Sequence, residues 1–136
     1  MIKVEDGQDV AGVGGLMGTA MAARGFAGAV VDGGVRDVAQ LKRVGFPVYA
    51  TGVVPSTAVS HYRFAGVNVP IDVDGTPVAA DDIVVADQDG VVVVPRARAA
   101  EVLVLAQSLD NSEHGMYPYI EKFRSIVEAV KQFGRI

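Results

Sequence analysis

The sequence predicts an α/β protein. The prediction rests on an apolar strand-like run, Phe26 to Asp32, that follows a stretch of helical spacing, and on a second helix and strand after it. A series of short valine-rich segments separated by acidic Gly-containing turns adds further strands. A strand, a helix and a strand in direct succession form a parallel crossover.

The residues before Gly12 carry little pattern, leaving a short strand or a mobile end as alternatives. From Gly15 to Arg24, Leu16, Ala20 and Ala23 recur near helical spacing among small side chains, and Gly25 stands where a C-cap is expected. Phe26 to Asp32 reads as a buried strand turning at Asp32-Gly33-Gly34. Arg36 to Val44 reads as a helix with Val38, Leu41 and Val44 on one face, and Phe46 to Ala50 as the next strand. Pro55, Ser56, Thr57 and Ser60 mark a loop towards His61-Tyr62-Arg63-Phe64.

A meander follows. Val67 to Val73 and Thr76 to Ala79 flank an Asp74-Gly75 hairpin signal, and Ile83 to Ala86 and Val91 to Val94 flank Asp87-Gln88-Asp89-Gly90. Pro95 ends the sheet, a helix is expected from Arg96 to Ser108, and Leu109 to Gly115 reads as a polar break. In the terminal helix Tyr119, Ile120, Phe123, Ile126, Val127, Val130 and Phe133 recur at steps of three and four. Such a stripe packs on its own sheet or on a neighbouring subunit.

Composition limits the chemistry. Half of the 136 residues are hydrophobic, enough for one domain with a core. Twelve basic against sixteen acidic residues give a net charge of −4 without a basic block, which argues against a nucleic-acid surface. The absence of cysteine excludes disulfides, thiolate metal sites and a cysteine nucleophile, so a metal would take oxygen ligands or the two histidines. The start lacks a signal-peptide pattern and no apolar run has the length of a membrane span. The expected address is the cytoplasm, with no membrane partner.

Charge gathers at Asp32-Gly33-Gly34-Val35-Arg36-Asp37, at the carboxyl end of a predicted strand, where open α/β sheets place ligands. Arg36 and Asp37 admit two readings. One is a surface ion pair capping the next helix. The other is an arginine fork for a substrate carboxylate beside an aspartate that holds a hydrated divalent cation. The Gly14-Gly15-Leu16-Met17 turn adds free backbone N–H groups at a helix start, which receive a carboxylate or enolate oxygen. Together these features describe an anion site with a metal beside it, suited to stabilising an enolate. His61 and His114 read as isolated loop or surface residues, and Asp87 and Asp89 as turn residues.

Gly14-Gly-Leu-Met, Gly25-Phe-Ala-Gly-Ala-Val-Val-Asp-Gly-Gly-Val-Arg-Asp, Phe46-Pro-Val-Tyr-Ala-Thr-Gly, Asn68-Val-Pro-Ile and Ala86-Asp-Gln-Asp-Gly-Val-Val-Val-Val-Pro resemble the RraA-like family. That family includes class II 4-hydroxy-4-methyl-2-oxoglutarate aldolases, which also decarboxylate oxaloacetate, and the regulator of ribonuclease activity A. The resemblance runs from about Gly12 to Val102. It implies an α/β fold of the three-layer, swivelling β/β/α type and a homotrimer or homohexamer with sites between subunits.

The resemblance also implies roles. Arg36 would bind the pyruvyl carboxylate or keto oxygen, and Asp37 would hold Mg²⁺ or Mn²⁺ largely through water, with Asp32 a further candidate ligand. Gly14 with the amides of Leu16 and Met17 would bind the carboxylate, and Glu113 matches by spacing a glutamate that reaches the neighbouring site. Two departures stand out. Gly15 occupies a position where the aldolases carry an acidic residue, and family chains carry a substantial segment before the Gly-Gly-Leu-Met turn. The expectation is therefore a single, N-terminally short domain over 1–136 whose residues 96–136 form a C-terminal helical extension. The function implied is a divalent-metal-dependent lyase that cleaves a small 2-oxo acid through a pyruvate enolate. The alternative is a non-catalytic, protein-binding regulator.

Overall fold

The computed structural model describes residues 1–134. It is an α/β structure in two compact units, Met1–Val93 and Val94–Ile136. The first is built on a four-stranded parallel sheet of β1 (Ile2–Lys3), β2 (Ala11–Val13), β3 (Ala29–Val35) and β4 (Val48–Val53). β3 is central. β4 runs along one edge of it with Ala29 opposite Val48 and Val35 opposite Val53, while β1 and β2 share the other edge, with Ile2 opposite Val31 and Val13 opposite Val35.

The patternless start is therefore one neighbouring strand interrupted by an excursion, residues 4–10, that folds back on β3. The Gly34 N–H donates to the carbonyls of Gly7 and Val10, and the Val4 N–H donates to Asp32. This excursion corrects the sequence reading of Asp32-Gly33-Gly34. The stretch is not a loop after the strand but part of β3, which runs on to Val35. Gly33 has φ 151°, and a Cβ on Gly34 would meet Val54 Cγ2 at 2.4 Å and the Val10 carbonyl oxygen at 2.9 Å. The glycines admit the excursion.

α1 (Gly15–Ala23) links β2 to β3, and α2 (Val38–Arg43) links β3 to β4. α1 ends as expected, with Gly25 at φ 81°, whereas α2 begins two residues later than the sequence suggested. The two helices pack closely because Gly18 has no side chain: a Cβ there would lie 2.2 Å from Leu41 Cδ2. Val4, Val13, Ala29, Val31, Val35, Leu41 and Phe46 form the core, with Met21, Val38 and Tyr62 against it.

Two hairpins follow, β5 (Ile71–Val73) with β6 (Thr76–Val78) and β7 (Ile83–Ala86) with β8 (Val91–Val94). Asp74 at φ 49° and Gly75 at φ 77° form the primed turn that the pair signals. The strand expected from Val67 starts only at Ile71, since Asn68 is left-handed at φ 56° and Pro70 lacks an N–H.

The second unit is helical, with a 3₁₀ turn at Arg96–Arg98, then α3 (Ala99–Phe123) and α4 (Ile126–Phe133). The polar break expected over Leu109 to Gly115 does not form. Ser112 Oγ donates to the Ser108 carbonyl and His114 Nδ1 bonds that of Asp110, so both polar side chains fold onto the helix instead of ending it. Gly115 is a packing position: a Cβ there would lie 2.9 Å from the Phe133 ring. The turn comes at left-handed Arg124, and Ser125 caps α4 by accepting the Glu128 N–H. No helix of the described residues is long and apolar enough to cross a membrane.

Candidate functional site

Three elements converge at the carboxyl end of β3. β3 delivers Arg36 and Asp37, the β2–α1 junction delivers Gly14 and Gly15, and α2 begins immediately after Asp37. The Arg36 N–H donates to the Val13 carbonyl, which fixes the strand end against β2. Asp37 is left-handed at φ 58°, a conformation that Asp tolerates better than most residues. It does not cap its own helix. Its Oδ2 accepts the Gly15 N–H at 2.9 Å, so a carboxylate from β3 caps α1.

Arg36 Nε lies 3.7 Å from the same oxygen, and both side chains stay partly open to solvent. The approach is tight enough to require glycine, because a Cβ on Gly14 would sit 2.9 Å from Arg36 Nε and 3.0 Å from Asp37 Oδ2. Gly15 is held at both ends: its carbonyl accepts the Thr19 hydroxyl at 2.7 Å. The next two amides, of Leu16 and Met17, belong to the unsatisfied first turn of α1 and have no partner among the described residues. The Leu16 side chain is 89% exposed, so the turn faces open space.

The Arg36–Asp37 pair, Gly14, Leu16 and Met17 are thus one constellation. Asp32 belongs elsewhere. It is 9% exposed, takes a 2.6 Å hydrogen bond from Lys3 Nζ, and lines an open cleft of about 800 Å³ with Val30, Tyr49, Thr51, Thr76 and Val91. Arg36 and Asp37 do not line that cleft. The Asp32 carboxylate, through that hydrogen bond, holds the Lys3 ammonium charged above the usual lysine range. Glu113 lies on α3 in the second unit, half-buried.

Among the described residues no three His, Asp or Glu side chains converge as a metal cage. The donor set at Asp37 fits a different kind of site. One carboxylate oxygen is engaged by Gly15 and the other is free, which suits a hard cation that keeps most of its water and takes its remaining ligands from substrate. Sequence reasoning missed Thr19 and Gln40. Gln40 Nε2 donates to Thr19 Oγ1 at 3.4 Å, and a Cβ on Gly15 would lie 3.0 Å from Gln40 Cγ. Their signal was the second glycine of the Gly-Gly turn, which marks a neighbour too close for a side chain.

The model of the RraA-like family, described as Aldolase/RraA, matches residues 1–93. A protein of Halalkalibacterium halodurans, provisionally named a 4-hydroxy-4-methyl-2-oxoglutarate aldolase, is 37% identical over 61% of this chain and 39% of its own length. The chain therefore spans less than half of that relative. A crystal structure of an uncharacterised Pseudomonas syringae protein superposes with a TM-score of 0.92 at 26% identity, over 97% of this chain and 62% of that one. A Streptomyces coelicolor protein, described as an unusual member of the RNase ES inhibitor RraA family, gives a TM-score of 0.73 at 28% identity, covering 91% of this chain and 61% of its own.

Proposed function

The chain belongs to the RraA-like family, and from that premise we propose that it is a divalent-metal-dependent lyase that cleaves 2-oxo acids to pyruvate through the enolate. The observation that carries this reading is the Arg36–Asp37 pair set against the glycine turn, with two unsatisfied amides beside it. A guanidinium beside a glycine turn with two free N–H donors can receive a carboxylate and an adjacent keto oxygen. Arg36 stands for the keto oxygen or carboxylate, and the Leu16 and Met17 amides for the carboxylate.

As the bond from C3 to its substituent breaks, the electron pair moves into C2–C3 and negative charge develops on the keto oxygen. Arg36 faces that charge, so its contribution grows towards the transition state. Mg²⁺ or Mn²⁺, held at Asp37 through water, would supply Lewis-acid stabilisation of the same oxygen. In the retro-aldol case the C4 hydroxyl gives up its proton to solvent as it becomes the carbonyl of the departing 2-oxo acid. In decarboxylation the C4 carboxylate leaves as CO₂, and in both cases the enolate then takes a proton from solvent at C3. Retro-aldol cleavage of a 4-hydroxy-4-methyl-2-oxoglutarate type of substrate and decarboxylation of oxaloacetate share this intermediate. Glu113 of a neighbouring subunit is the proposed further carboxylate, in a homotrimer or homohexamer working in the cytoplasm.

The test is pyruvate release from both substrates with Mg²⁺ or Mn²⁺, against a chelated control. Metal-dependent pyruvate from either supports the reading, and no pyruvate from both overturns it. A second reading, a non-catalytic protein-binding regulator, is favoured by Gly15 in place of a carboxylate and by the likeness to the RNase ES inhibitor family member. It predicts metal-independent capture of a ribonuclease without turnover of either acid.

A further inference from the structure

Gln40 lies on α2, half-buried, within contact distance of the first residue of α1. A Cβ on Gly15 would stand 3.0 Å from its Cγ and 3.2 Å from its Cβ. Asp37 Cβ would stand 3.1 Å from the same added atom, so the space beside the amide turn that a side chain at position 15 would enter is shared by the Gln40 stem, which makes the tightest contact, and Asp37. Its carboxamide continues the contact: Nε2 donates to Thr19 Oγ1, and Thr19 donates to the Gly15 carbonyl. Asp37 holds the Gly15 N–H. Gly15 is thereby clamped by two residues of one short segment, Asp37 and Gln40, and the residue next to it in the helix is Leu16.

We propose that Gln40 is a positioning residue for the amide turn: by filling the space over Gly15 it fixes the start of α1 and so the aim of the Leu16 and Met17 N–H groups. This inference rests on the reading of that turn as the carboxylate-binding part of the site. Its direct consequence is that positions 15 and 40 form one steric unit. A side chain at 15 and a full-length stem at 40 compete for the same space, and shortening residue 40 removes the tightest of the three contacts while the Asp37 and residue-40 β-carbons remain. The two amides hold the substrate carboxylate before and during bond cleavage, so misplacing them weakens binding without slowing the bound substrate.

Two measurements on the full chain test this. The first is a melting cycle over wild type, Gly15→Ala, Gln40→Ala and the double variant. Alanine inside a helix is ordinarily favourable relative to glycine, so a lowered Tm in Gly15→Ala reads the crowding by Gln40 and Asp37, and the cycle separates the share of Gln40. The expected result is that Gln40→Ala, which removes the tightest of these contacts, restores part of that loss, and additive effects would overturn the proposal. The second is oxaloacetate kinetics with Mg²⁺. Gln40→Ala is expected to raise KM roughly tenfold with kcat within about twofold of wild type, while Gln40→Met, which keeps the stem and removes the amide, stays near wild type. An unchanged KM in Gln40→Ala, or a Gln40→Met variant as impaired as Gln40→Ala, would overturn the stem-based role. If the wild type itself releases no pyruvate from either acid, the lyase reading fails first. Calorimetric titration of wild type and Gln40→Ala with oxalate then decides the positioning role. Weaker oxalate binding by the variant supports it, and equal binding, or none by wild type, overturns it.

Discussion

The Asp37 carboxylate accepts the Gly15 N–H at 2.9 Å while its own backbone is left-handed, so capping and charge are separable by substitution. Asparagine keeps both the left-handed tolerance and an oxygen for Gly15. Asp37→Asn is therefore expected to melt near wild type and to lose metal-dependent turnover, whereas Asp37→Ala also loses about 1 kcal/mol of stability with the cap. Thermal melts paired with pyruvate assays distinguish the two. Arg36→Lys removes the planar fork and retains the charge; kcat/KM for oxaloacetate is expected to fall on the order of a hundredfold. Lys3 adds a pH dependence. Its ammonium titrates above the usual 10.5 because it donates to Asp32, so the pair stabilises the fold fully below about pH 10.5 and the contribution disappears as pH rises through the higher folded value. The Tm difference between wild type and Lys3→Met should shrink between pH 9.5 and pH 12 on that account; a constant difference would contradict it. Arg36 and Asp37 were legible in the sequence because they follow directly on an apolar strand-like run, at the carboxyl end where open α/β sheets place ligands. Asp32 was not, because its partner Lys3 is 29 positions away in a stretch without pattern.

Among the elements, the crossover helices and strands followed from spacing, since small residues and glycine punctuate them clearly. Gly18 shows why small residues matter here. With Leu41 Cδ2 only 2.2 Å from the place of a Cβ, Gly18→Ala is expected to cost about 1–3 kcal/mol by overpacking, read by denaturant unfolding. The long C-terminal helix was misread because Ser112, His114 and Gly115 are loop residues by propensity and are satisfied here by carbonyls one turn back and by the Phe133 ring. Pro118 sits inside α3, where it removes a backbone donor. Replacing it by alanine should raise helical stability by up to about 3 kcal/mol, measured as a gain in the melting temperature of the helical circular dichroism signal. An unchanged or lower value would show that the proline is accommodated without cost. The start of the chain was illegible for a different reason: β1 and β2 are two and three residues long, too short for any periodicity to register.

At the scale of the molecule, apolar side chains are left in the open on both units. In the first, Leu16, Val53, Val59 and Phe64 are exposed, and in the second, Leu103, Val104, Leu105 and Leu109 lie exposed along the first half of α3. Surfaces of this kind mark association. Sedimentation equilibrium is expected to give three or six times the chain mass, and a stable monomer would overturn the proposed role of Glu113 in a neighbouring site. The arrangement of β3 has a consequence for how the molecule breathes. Among the described residues it is the one strand with hydrogen-bonded neighbours along both edges of its path, and it carries Val31 and Val35 of the core. Apart from that of Gly34, which is bonded to the excursion, its amides open only with the whole sheet, while the excursion over residues 4–10, tied by a few bonds, opens alone. Hydrogen exchange would therefore be slowest at Val31 and Val35 and fast at residues 5–9. Arg36 and Asp37 hang from the last part of the molecule to let go, so the charged half of the site should persist in partly unfolded forms from which its glycine turn has already departed.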